Sequence, residues 1–160
     1  MRKLAFAAVL VLVASIASAE TGKSSVFASG TLIALPDGPT GPATLLSGTI
    51  AKGKKKNALH VSADMQVDLT NPSLPFLSVN VNGVPANGPT VETDCKFGGD
   101  QRCTLAGNWW LDLDAAEAAH PGMFVGKPLL VELVGGDGTF SPPFPGLAIG
   151  ATLNVLMVKK

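Results

Sequence analysis

The chain has 160 residues with 12 basic and 12 acidic side chains, is 46% hydrophobic and 15% charged, and has no tyrosine. A chain near neutrality has no general electrostatic pull toward phosphates, which argues against nucleic acid as a partner. The length suits one domain with a genuine core and is too short for two comfortable ones.

The chain opens with "MRK", a basic start, followed by the apolar run "LAFAAVLVLVASI" and the small-residue pattern "ASA" before Glu20. That order is the pattern of a secretory signal peptide over residues 1–19, with cleavage ahead of Glu20. The apolar run is short for a membrane span, so a retained anchor is the competing reading. No cysteine stands at the cleavage point, so a lipoprotein anchor is not indicated. Removing Arg2 and Lys3 leaves 10 basic residues against 12 acidic ones, a net charge of −2 for residues 20–160. The expectation is a single exported domain, periplasmic or extracellular, with no transmembrane segment in the mature chain.

Along that domain, alternation of apolar and polar residues marks one strand after another. Val26–Ala34 and Thr44–Ala51 are weak cases. The strongest is Ala58–Leu69, "ALHVSADMQVDL", in which Leu59, Val61, Ala63, Met65, Val67 and Leu69 alternate with His60, Ser62, Asp64, Gln66 and Asp68. A period of two over that length is a strand with one face on a core and the other in water. Leu77, Val79 and Val81 alternate in the same way up to the turn dipeptide Asn82-Gly83. Thr90–Cys95, Thr104–Leu113, Pro128–Val134 and Ala151–Val158 complete a set of about eight strands. Turn residues separate most of them and crossover helices are missing, which predicts an all-β fold, an antiparallel β-sandwich of jelly-roll-like type.

The connections carry their own chemistry. Gly38–Ala43, "GPTGPA", has two collagen-like triplets and stops, so it is a loop. Lys52–Asn57, "KGKKKN", places four lysines in a tip between strands. Such a tip could meet an anionic polysaccharide or a lipid surface, or simply be a solvated turn that discourages edge pairing. Cys95 and Cys103 flank "KFGGDQR", whose Gly98-Gly99 allows a tight reversal. In an oxidising compartment this spacing predicts a disulfide across a hairpin, stabilising by about 2.5 kcal/mol on the chain-entropy model.

Asn108–Gly122, "NWWLDLDAAEAAHPG", concentrates two tryptophans, carboxylates and a histidine. Leu105, Gly107, Trp109, Leu111 and Leu113 fall on the core face, with Asn108, Trp110 and Asp112 opposite. The period then changes. Asp114 is a good N-cap, Glu117 stands where a capping box wants it, and Pro121 ends one short helix near 115–120. Asn108, Trp110 and Asp112 form a candidate ligand-binding set, since an apolar plate flanked by hydrogen-bonding groups suits a sugar. The competing reading has Trp110 covered by the helix or by the following loop.

Asp112, Asp114, Glu117 and His120 are a weak alternative as metal ligands, without motif-grade spacing. No cofactor is implied. There is no nucleophile motif, no catalytic-cysteine arrangement and no phosphate-binding loop. Gly135–Gly146, "GGDGTFSPPFPG", is long for a connection, and its Phe140 and Phe144 either plug the sandwich end or face a partner. The reading is an exported, non-catalytic binding or structural module, with carbohydrate or another cell-surface component as a possible partner. The alternatives are an assembly subunit interacting with a protein partner through strand edges or the 135–146 loop, and a small glycan-active enzyme using Asp112, Asp114 or Glu117.

Overall fold

The computed structural model describes residues 23–29, 33–35, 42–51, 57–68, 75–92, 102–137 and 147–159. They form β1 (Lys23–Ser29), β2 (Ile33–Ala34), β3 (Ala43–Ile50), β4 (Ala58–Asp68), β5 (Pro75–Val81), β6 (Val84–Pro85) and β7 (Val91–Glu92). Then come β8 (Arg102–Asp112), the helix α1 (Leu113–Ala119), β9 (Leu129–Asp137) and β10 (Leu147–Val158).

Period-two alternation becomes burial as expected. Leu59, Val61, Ala63, Met65 and Val67 of β4 turn inward, as do Leu153, Val155 and Met157 of β10 and Leu105, Trp109 and Leu111 of β8. Leu77, Val79 and Val81 of β5 and Leu129, Val131 and Leu133 of β9 meet them from the other side. Each buried Val, Leu or Met among them contributes roughly 1.5–3 kcal/mol relative to exposure.

All the pairings are antiparallel and they divide between two sheets. Sheet A has the order β1-β10-β4-β8, with β2 also on β10, and sheet B the order β3-β9-β5-β6, with β7 also on β5. The pairs are nested along the chain: β1 with β10, β3 with β9, β4 with β8, and β5 with β6 and β7. Four concentric antiparallel pairs wound into two facing sheets make a jelly roll. β1 lies over β3 and β5 over β8.

Two close approaches set the layer spacing. A Cβ on Gly48 would overlap the Phe27 ring, so the glycine of β3 admits the phenylalanine of β1 between the sheets. Trp109 folds back along β8 above Gly107, where a Cβ would stand 2.5 Å from Cη2, and its Nε1–H donates to the Pro89 carbonyl at 3.0 Å.

Several boundaries differ from the sequence expectation. Val26–Ala34 is two segments, β1 and β2, and the turn at Asn82-Gly83 leads into the two-residue β6, so the described residues contain the expected set of strands plus short added segments. β9 runs on through Gly135 and Gly136 to Asp137 rather than giving way to a loop. Gly135 is buried there, and no larger residue fits, since a Cβ would meet Leu45 Cδ1 at 2.6 Å and the Phe76 carbonyl at 2.9 Å. Of the expected strand Thr90–Cys95, β7 covers Val91–Glu92, and residues 93–95 lie outside the described set. Also outside it are the signal segment 1–19, the lysine tip at 52–56, Cys95, Phe140 and Phe144.

Candidate binding surface

At the end of β8 the chain turns into α1, and the carboxylates there are occupied one by one. Asp112 has extended backbone geometry (φ −79°, ψ 109°), and its Oδ1 accepts from the amides of Asp114 at 3.0 Å and Ala115 at 3.1 Å. The N-cap is therefore Asp112, two residues before the expected Asp114, and Leu113 belongs to the helix rather than to the strand. At 9% exposure Asp112 is turned into the structure rather than displayed beside Trp110, because capping needs its oxygen at the helix start.

Asp114 sits in the first helical turn, where its Oδ2 accepts from Asn57 Nδ2 at 2.6 Å. Glu117 makes no capping box. Its carboxylate reaches forward to the amides of Gly122, Phe124 (2.7 Å) and Val125 (3.0 Å), holding the loop after the helix. His120 is the exposed C-cap. Asp112, Asp114, Glu117 and His120 are not gathered around one point, and no cluster of three metal-ligating side chains occurs among the described residues.

The same loop shows residues that sequence reasoning missed. Phe124 is fully buried and closes this end of the sandwich. Asn82, at φ +50°, donates through Nδ2 to the Met123 carbonyl at 2.8 Å and accepts through Oδ1 from the Leu130 amide at 2.7 Å. The Asn82-Gly83 dipeptide signals the turn, since both residues have positive φ. Nothing local in the sequence signals the clamp.

Trp110 is 48% exposed, on the outer face of sheet A, and neither α1 nor any other described segment buries it. It stands opposite His60 of β4 in register, and both of its backbone hydrogen bonds go the other way: its N–H donates to the Asn87 carbonyl and its carbonyl accepts from the Asn87 N–H, both at 2.8 Å. The register sets two rows across three strands: Leu156, His60 and Trp110 in one, Asn154, Ser62 and Asn108 in the next. A shallow depression of about 160 Å³ lies over them, lined by the side chains of His60, Ser62, Asn108, Asn154 and Leu156, with Trp110 adjoining. Asp64, one step further along β4, accepts a hydrogen bond from the Thr152 hydroxyl.

Of the candidate ligand set, the outer face thus presents Asn108 and Trp110 and withholds Asp112. It adds His60, Ser62, Asn154 and Leu156, which lie far from Trp110 in sequence. Cys103, on β8, is not a free thiol; its expected partner Cys95 lies outside the described residues.

No family model matches this chain, and no curated protein matches it. Solved structures do. The chain is similar to the protein of the T13 particle of infectious bursal disease virus, at 11% identity and a TM-score of 0.58 over 92% of this chain and 34% of that one. It is likewise similar to a VP2 subviral particle of that virus, at 11% identity and a TM-score of 0.56, covering 86% and 33%. A third is a T=1 particle derived from the same virus, at 12% identity and a TM-score of 0.57, covering 92% and 34%. What is shared is the fold. The chain spans about a third of the length of these particle proteins.

Proposed function

We propose that this protein is an exported structural module that acts by assembling with further protein, including copies of itself. The observation that carries this reading is the unequal treatment of the two sides of the jelly roll. On one side, β6 and β7 are two residues each, Pro85 and Pro89 interrupt the backbone donors, and Asn87 bridges to β8. Short strands, prolines and covered edges are how proteins prevent unwanted pairing. On the other side β1, "KSSVFAS", and β3, "ATLLSGTI", run for seven and eight residues without proline and with a single lysine between them. Val26 adds an apolar side chain 40% exposed beside that edge. The likeness in fold to proteins of viral particles supports the same reading.

Light scattering on the mature, oxidised protein tests it. Mass should rise with concentration, and Val26→Lys should lower it while changing the unfolding free energy of the monomer by no more than about 0.5 kcal/mol, as is usual for surface changes. A monomer at every concentration, with no protein partner in cross-linking of the native source, would remove the assembly reading. Export itself rests on residues 1–19, and N-terminal sequencing starting at Glu20 is the expected result.

A second reading has one observation of its own. Trp110 stands exposed beside amide and hydroxyl side chains, an arrangement suited to carbohydrate. On this reading the module recognises a surface glycan while its edges assemble.

A further inference from the structure

We infer that the outer face of sheet A is a site for a single neutral sugar ring, seated over β4 between Leu156 and Asn108, with Trp110 as its stacking edge. The inference rests on the carbohydrate reading above and narrows it to a place and a ligand chemistry.

The register brings the groups together. Asn154, Ser62 and Asn108 lie in one row across β10, β4 and β8, and Leu156, His60 and Trp110 in the row beside it. Two primary amides, a hydroxyl and an imidazole offer both donors and acceptors. A sugar ring carries hydroxyls that do both, around a rim, and apolar C–H faces between them. Trp110 and Leu156, 48% and 40% exposed, supply apolar surface on opposite sides of His60.

Charge selects the class of sugar. No lysine or arginine lines the depression. The carboxylate nearest along β4 is Asp64, with Thr152 as its partner, and it would repel an acidic ligand. Among the described residues that line it, a uronate, a sialylated sugar or a phosphate meets no lysine or arginine. Size sets the affinity. At about 160 Å³ the depression is smaller than the roughly 300–1,000 Å³ of pockets that enclose drug-sized molecules, so one ring is accommodated and the rest of a glycan stays outside. A contact of that extent implies a dissociation constant on the order of millimolar for one ring, improved only by repetition on an assembled array.

The backbone favours a fixed platform over an adaptable one. β4 lies between β10 and β8 within the sheet, and Trp110 stands in β8 with both its backbone N–H and its carbonyl bonded to Asn87. Binding then needs little ordering of the protein.

The test is an amide-detected NMR titration of the mature, oxidised protein with neutral oligosaccharides (gluco-, manno-, galacto- and N-acetylglucosamine series) and with uronic and sialylated ones. The expected result is fast-exchange perturbation of the Trp110 indole N–H and of the Asn108 and Asn154 side-chain amides by at least one neutral series. Trp110→Ala and Asn108→Ala should each weaken that binding tenfold or more with the fold retained. Leu130→Ala, on the outer side of sheet B, should leave it unchanged. Binding of acidic sugars alone would overturn the inference and leave the carbohydrate reading standing. Perturbations confined to another surface would do the same. No response to any saccharide would end both. A fall in oligomer mass for Trp110→Ala, without change in sugar response, would reassign this face as a contact between copies.

Discussion

Glu117 shows how much a single side chain can determine in this chain. One carboxylate satisfies three backbone amides, those of Gly122, Phe124 and Val125, and thereby shapes the loop that delivers Phe124 to the core. Hydrogen bonds to a charged group contribute about 1.5–3 kcal/mol, and losing the charge leaves the amides more weakly paired. Glu117→Gln should therefore cost about 1–3 kcal/mol in urea unfolding, with hydrogen exchange accelerated first at those three amides. Unchanged exchange there would mean that the loop holds itself. Asn82 acts comparably from the other side, through the Met123 carbonyl and the Leu130 amide. Trp110 is the contrasting residue. Its exposure means that truncation to alanine should cost far less than the roughly 3–5 kcal/mol of a buried tryptophan, whereas Trp109 should approach that figure.

At the scale of elements, the join between β8 and α1 separates what alternation shows from what it does not. Alternation placed Leu105, Trp109 and Leu111 inward and Asn108 and Trp110 outward, and the strand obeys it. It broke down at Asp112, because a strand ending in a helix rotates its last residues away from the pleat. The spacing to Glu117 pointed to Asp114 as the N-cap, and the turn instead puts the oxygen of Asp112 on the first helical amides. Asp112→Ala should cost about 0.5–2 kcal/mol, at the upper end because the group is buried, while Asp114→Ala should lie within about 0.5 kcal/mol of wild type. Thermal unfolding of the pair checks this, and equal effects would return the cap to Asp114. The glycines at 135 and 136 teach a related lesson. They read as loop residues, yet Gly135 pairs with Ala43 on one side and Leu77 on the other, and Leu45 and the Phe76 carbonyl leave no room there for a side chain.

Across the whole molecule, the two sheets are held in contact by positions that touch only after the chain has wound through its nested pairs. Gly48 and Phe27 are such a pair, joining β3 to β1. Gly48→Ala forces the ring of Phe27 aside, and overpacking of this kind costs about 1–3 kcal/mol. The loss should fall mainly on β1, visible as early hydrogen exchange over Lys23–Ser29, with Ser47→Ala as a silent control. Uniform loss across both sheets would show instead that β1 unfolds only with the whole. The same edge carries the assembly proposal, so Gly48→Ala should also lower the oligomer mass that Val26→Lys lowers.

By itself the sequence determined the main strands, and for β4, β5 and β8 which side faces the core, because period-two alternation is local and burial enforces it. It also determined the antiparallel sandwich class, through turn residues where crossover helices would otherwise be needed. The order β1-β10-β4-β8 against β3-β9-β5-β6 came only from the tertiary structure, since many pairings satisfy the same alternation. So did the outer-face rows. Trp110 and Asn108 could be singled out from one strand, but His60, Ser62, Asn154 and Leu156 join them only through registers spanning up to a hundred residues, and register is a property of paired strands rather than of either strand alone.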